Sequence, residues 1–197
     1  MSSPSYHFVT QWRVRATPQE VYAIIEDSRS LVEWWPSVYL QVEEIQPGDA
    51  NGIGREVSLL TKGMLPYTLR WRFVTSAKKP YESITLYATG DFIGRGIWTF
   101  TADGADCDID FDWEITAEKP LLRWLTPLLR GFFSANHRWA MRQGEASLRL
   151  ELERRRLSDP AARASVPKPP GPYPVWPWIV DFAVGIILLM LFWWWSR

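Results

Sequence analysis

Between residues 48 and 106 the chain is repeatedly interrupted by turn-forming stretches: GDANGIG, TKGMLP, SAKKPYE, GDFIGRG and TADGAD. Gly, Pro, Asn and Asp mark reversals because they supply the backbone angles and local hydrogen bonds that tight turns need. The runs between them, such as YTLRWRF and DIDFDWEIT, are rich in β-branched and aromatic residues, the composition of a pleated, half-buried surface. Connections this short can join neighbouring strands only in antiparallel fashion, because a parallel return needs a dozen or more residues. The pattern predicts six consecutive antiparallel strands.

A further strand and several helices flank this meander. In YHFVTQWRVRA, Phe8, Trp12 and Val14 broadly alternate with Arg13 and Arg15, which predicts a strand with one wet face. Thr17, Pro18 and Glu20 then form a capping-box pattern at a helix start, and Pro36 ends a second short helix. From Pro120 the chain turns helical again; Pro127 predicts a break, with a long helix from Leu128 to about Arg156.

This order resembles the START-like SRPBCC superfamily. The stretches EWWPSV, KGMLPYTLRW, GDFIGRGIW and NHRWAMRQGEASL resemble members named polyketide cyclase/dehydrase, over residues 6 to about 153. The resemblance implies an α+β helix-grip fold: a curved antiparallel β-sheet around a long C-terminal helix, with an apolar ligand cavity between them. It implies no single chemistry, since members include lipid carriers, hormone receptors, ubiquinone-binding proteins and aromatase/cyclases.

Three segments are expected: a helix-grip domain over residues 1–156, a Pro-rich linker over 157–174 that should be extended and without a core, and a transmembrane tail anchor over 175–195. The last segment carries one charge, Asp181, and as a helix would be about 31 Å long, matching a bilayer core. Trp176 and Trp178 at one end and Trp193, Trp194 and Trp195 at the other suit aromatic belts at the two interfaces. Arg154, Arg155, Arg156, Arg163 and Lys168 precede the span and Arg197 follows it, which predicts a single-pass protein with its large N-terminal domain in the cytoplasm. Asp181 fits the membrane interface or a contact with other subunits of a membrane complex.

Composition narrows the partners. Lys plus Arg and Asp plus Glu both number 22, so no global field favours nucleic acid. The single cysteine, Cys107, excludes an internal disulfide and a cysteine-built metal site. No convincing ligand set marks a metal, and no cofactor is expected.

On the long helix, Arg138, Arg142, Glu145, Arg149 and Glu153 fall on one side, which should face water. The other side carries Phe133, Asn136, His137, Ala140, Gly144 and Ser147. Its small residues permit either close packing on the sheet or an open cavity. Asn136 and His137 need hydrogen-bond partners if buried, or else a ligand. They are also the candidates for proton transfer, although no carboxylate partner for His137 is evident. The expected cavity lining is completed by Trp12, Trp34, Trp35, Leu69, Trp71, Phe73, Trp98, Phe111 and Trp113. In EWWP, one tryptophan should pack inward and the other cover the cavity mouth, and GDFIGRG should be a mobile hairpin at the entrance.

The run DCDIDFDWE places Asp106, Asp108, Asp110, Asp112 and Glu114 on one strand face and Cys107, Ile109, Phe111 and Trp113 on the other. Its carboxylates should form cross-strand ion pairs with Arg13 and Arg15 of the first strand. The function expected is a membrane-tethered binding module for a hydrophobic small molecule: a lipid, a quinone or a polyketide-like compound. The alternatives are a cyclase/dehydratase-type enzyme, with His137 or Asn136 supporting enolisation, and an accessory subunit of a membrane protein complex.

Overall fold

The computed structural model describes residues 5–117 and 120–174, giving the backbone alone at 117 and along 120–130. β1 (Ser5–Val14) leads into α1 (Pro18–Ile25), a 3-10 turn (Ser28–Ser30) and α2 (Leu31–Trp34). Six strands follow: β2 (Tyr39–Gln46), β3 (Glu56–Lys62), β4 (Thr68–Lys79), β5 (Ser83–Gly90), β6 (Phe92–Asp103) and β7 (Asp106–Ala117). The chain continues with α3 (Pro120–Arg156) and α4 (Pro160–Ser165). The strands form one antiparallel sheet in the order β1-β7-β6-β5-β4-β3-β2, the predicted meander with the first strand added beside the last.

Period-two patterning sets the faces. Tyr6, Trp12 and Val14 of β1 and Ile109, Phe111 and Trp113 of β7 are buried, while the odd-numbered residues of β1 and the even-numbered residues of β7 lie on the opposite face. Met141, Leu148 and Leu152 of α3 join the same core as Trp12, Val57 and Ile109, so the helix lies on the inner face of the sheet. This arrangement fits the helix-grip fold.

The capping box forms as predicted: the Thr17 hydroxyl accepts from the Glu20 N–H at 3.3 Å and the Thr17 N–H donates to the Glu20 carboxylate at 2.8 Å. Arg156, at the far end of α3, donates to the same carboxylate at 2.7 Å. Its hydrogen bond and that of the Thr17 N–H hold the Glu20 carboxyl down at about 2. One acidic side chain thus joins the start of α1 to the end of α3.

Two expectations are corrected. The helix does not break at Pro127; α3 runs unbroken from Pro120 to Arg156. A proline removes one helical hydrogen bond, and here the turns on both sides carry the helix through. The Pro-rich stretch is not a spacer without a core either. Asp159 caps α4 by accepting from the Ala161 and Ala162 N–H groups, and Val166 is buried. Arg154 donates to the Pro167 carbonyl at 3.1 Å, and Tyr173 sets its ring edge-on to Trp139 at 5.9 Å. Prolines remove donors, but they leave carbonyls free to accept from α3. The predicted span over 175–195 lies outside the described residues, among which no helix is long and apolar enough to cross a membrane.

Candidate functional site

A cavity of about 180 Å³ lies between α3 and the inner face of the sheet. That is roughly a dozen times the ~15 Å³ that one water needs. Its floor is a run of aromatic rings. Trp98 and Phe111, paired across β6 and β7, stack at 4.0 Å with 17° between their planes; Phe111 stacks on Trp113 at 5.5 Å. Trp71 meets Trp113 at 5.8 Å and Phe92 at 4.8 Å, and its indole N–H donates to the Thr61 hydroxyl at 3.0 Å. The indole donor of Trp71 is thereby satisfied.

The helix side is more polar. His137 stacks on Phe8 at 4.2 Å, and its Nε2 lies 3.2 Å from the Thr10 hydroxyl. Burial, helped by the charge of Arg138, lowers its pKa to about 4, so the imidazole is neutral at physiological pH. Among the described residues no carboxylate is paired with it. The Asn136 carbonyl oxygen accepts from the Met64 N–H at 2.8 Å and the Leu65 N–H at 3.3 Å, tying the β3–β4 loop to α3. Tyr67 also lines the cavity, and burial, with Tyr6 close by, raises its phenol to about 12. Around His137 the site therefore offers neutral polar groups, and among the described residues no acid-base pair is aligned there.

Of the residues expected to line the cavity, Trp35, Leu69, Trp71, Trp98, Phe111, Trp113, Phe133, Asn136, His137 and Ala140 do so. Four do not. Trp12 is solid core, wedged between Trp35 at 5.5 Å and Trp98 at 5.3 Å. Trp34 is 1% exposed, and its ring lies against that of Trp35. Phe73 faces a separate space of about 40 Å³ with Glu26, Arg55 and Lys78. Gly144 is covered by the Trp35 ring, so at this position the small-residue stripe serves close packing.

The division of labour expected of EWWP is also corrected. Trp34 and Trp35 are both buried, and neither sits exposed at a mouth. Trp35 caps α2 with φ −127° and ψ 51°, leaving the helical geometry that would have set the two side chains apart. In GDFIGRG, Gly90 has a φ of +116° at the β5–β6 turn, and Phe92 turns inward to the cavity. Sequence reasoning missed Tyr6, Phe8 and Ile115, which share the inward registers of Trp12 and Trp113 and could have been found from the alternation. Lys62 and Tyr39 carried no such signal.

The acidic face of β7 is paired as expected, chiefly through Arg13, which reaches Asp103 at 2.6 Å, Asp106 at 3.1 Å and Asp108 at 3.0 Å. Arg15 takes no part in this network; its carbonyl accepts from Arg156. His7, Asp112 and Glu114 bring ligand-type atoms within 4.8 Å of one another on this exposed face. His7 pairs with Asp112 and Arg95 with Glu114, which accounts for the cluster without a metal.

No curated protein sequence matches the chain. Among solved structures it is similar to the ZhuI aromatase/cyclase from Streptomyces sp. R1128, with TM-score 0.62 and 14% identity over 79% of this chain and 98% of that one. It is similar to the protein TTHA0849 from Thermus thermophilus, with TM-score 0.60 and 18% identity over 76% and 96%. Norcoclaurine synthase from Thalictrum flavum follows, with TM-score 0.54 and 15% identity over 77% and 89%. At these identities the likeness is one of fold. Residues 6–153 match the model of the family described as polyketide cyclase / dehydrase and lipid transport. With most of its length matched, this chain belongs to that family.

Proposed function

We propose that the protein binds a hydrophobic small molecule in the cavity between α3 and the sheet, as a carrier or holding module tethered to a membrane by residues 175–195, with the head domain in the cytoplasm. The observation that carries the reading is the wall itself: stacked Trp98, Phe111 and Trp113 facing Phe133, Ala140 and Met141. Burying an apolar ligand against such a surface is favourable by about 25 cal/mol per Å². The tether draws its support from the apolar run and its tryptophan borders. It would also raise the local concentration of membrane-dissolved ligand.

The family name and the aromatase/cyclase fold also suggest a cyclase, and His137 is the residue such a reading would need. Its geometry favours binding. A base with a pKa of about 4 is a weak proton acceptor at neutral pH, and its Nε2 is already engaged with Thr10.

The test is native mass spectrometry of the full-length protein gently extracted from its own membrane, with identification of any apolar molecule retained. The expected result is a stoichiometric small molecule that is lost in Ala140→Trp, which fills the cavity from α3. No retained molecule, together with no uptake across a panel of lipids and quinones, would overturn the reading.

A further inference from the structure

Among the described residues that line the cavity, one carries a permanent charge: Lys62, at the end of β3. This cation is half-buried, and it is treated differently from other part-buried cations of the chain. Lys78 and Arg55 share the Glu26 carboxylate, and Arg55 also approaches Glu44. Lys62 has no carboxylate partner among the described residues. Its Nζ donates to the Tyr173 carbonyl at 2.8 Å. An ammonium has three donors, and a neutral carbonyl satisfies one of them without balancing the charge. Withdrawing a cation from water without a counter-ion is unfavourable.

The Tyr173 carbonyl is itself held in place. The Tyr173 ring stands at 90° to Trp139 of α3, and the chain before it is pinned by buried Val166 and by the bond from Arg154 to Pro167. The C-terminal segment thus works as a strap that holds the Lys62 ammonium through the Tyr173 carbonyl.

We propose that Lys62 is the head-group site of this cavity and that the ligand is an apolar molecule ending in a single carboxylate. The proposal rests on the binding function proposed above and adds the ligand's class to it. One ammonium balances one negative charge. A phosphate dianion would call for a second cation or an arginine fork, and the described lining contains neither. The apolar body lies against the Trp71, Trp98 and Trp113 surface while the carboxylate takes the remaining donors of Lys62.

The experiment titrates the full-length protein, in non-ionic detergent at neutral pH, with naphthylacetate and separately with its uncharged methyl ester. Tryptophan emission and calorimetry report binding. The acid should bind tighter than the ester by about tenfold or more. Lys62→Met should abolish that preference by bringing the affinity for the acid down to that for the ester, and Lys62→Arg should retain most of it. Equal affinity of acid and ester for the unaltered protein would overturn the head-group assignment and leave the apolar cavity standing. A preference that survives in Lys62→Met would overturn it too. If neither compound binds, the head-group assignment falls, while the binding function is decided by the retained molecule and the lipid and quinone panel. Retained ester binding in Lys62→Met shows that the variant is folded, and the acid-ester comparison on the unaltered protein decides the matter even if that variant misfolds.

Discussion

The indole of Trp35 lies so close over Gly144 that a β-carbon at residue 144 would stand 2.3 Å from its Cζ2. Alanine would otherwise be the better helix former, by about 1 kcal/mol. Here overpacking against a buried ring costs about 1–3 kcal/mol, so steric strain wins. Gly144→Ala should lower the urea midpoint with an unchanged denaturant slope. Gly131, on the same helix, has no atom within 4 Å of its β-carbon position. Gly131→Ala should therefore raise the midpoint by the propensity gain alone, about 0.5–1 kcal/mol. If both variants shift the same way, the Trp35–Gly144 contact does not set the packing of α2 on α3.

Asn136 connects two parts of the site. Its side-chain oxygen accepts the Met64 and Leu65 N–H groups, so removing it takes away the acceptor that these two part-buried donors share. Asn136→Ala should cost about 1–3 kcal/mol, and Asn136→Asp, which keeps the acceptor, should cost less. Amide hydrogen exchange at Met64 and Leu65 should accelerate in the alanine variant. Unchanged exchange there would mean that the loop is held by something else.

The sheet was legible because its signal is local. Turn residues and period-two alternation are read from adjacent positions, and they gave the strand meander, the wet face of β7 and its pairing with Arg13. The capping box of α1 was legible for the same reason. What stayed hidden depends on distance along the chain. Nothing near Gly144 announces that a tryptophan from residue 35 will cover it. Lys62 stands in a turn-forming stretch, and its meeting with Tyr173 spans most of the domain. Pro127 misled because a proline's local cost is certain, whereas the continuation of the helix on either side is a property of the whole segment.

His137 gives the fold an acid sensitivity with a defined window. Its folded pKa, about 4, lies below the ordinary histidine value, so between the two the unfolded chain binds a proton that the native state does not. The stability it contributes is complete above about pH 6.5 and falls as the pH drops toward 4. Over that range the pH dependence of unfolding should carry a contribution approaching about one proton, removed in His137→Gln. Glu20, with its carboxyl held at about 2, acts in the same direction at lower pH, between its unfolded value and 2. Unfolding measured at closely spaced pH values separates the two. A slope above pH 4.5 that is identical in His137→Gln would show that the imidazole is not held neutral by its burial against Phe8.

The wall at Trp113 depends on a missing side chain opposite it. Gly96 is the cross-strand partner of Trp113, and a β-carbon there would lie 2.7 Å from Cε3 of its ring and 3.0 Å from Phe111. The glycine lets the Trp113 and Phe111 rings lie across β6, an aromatic covering of a strand glycine. In Gly96→Ala the two rings must move, and both line the cavity. The substitution should cost about 1–3 kcal/mol in stability and weaken uptake of an apolar ligand by on the order of tenfold, with a shift in tryptophan emission. Because residue 96 is not itself a lining residue, any loss of binding acts through Trp113 and Phe111. A variant that loses stability but takes up ligand with unchanged affinity would show that these rings serve the core alone, and that the ligand lies nearer to α3.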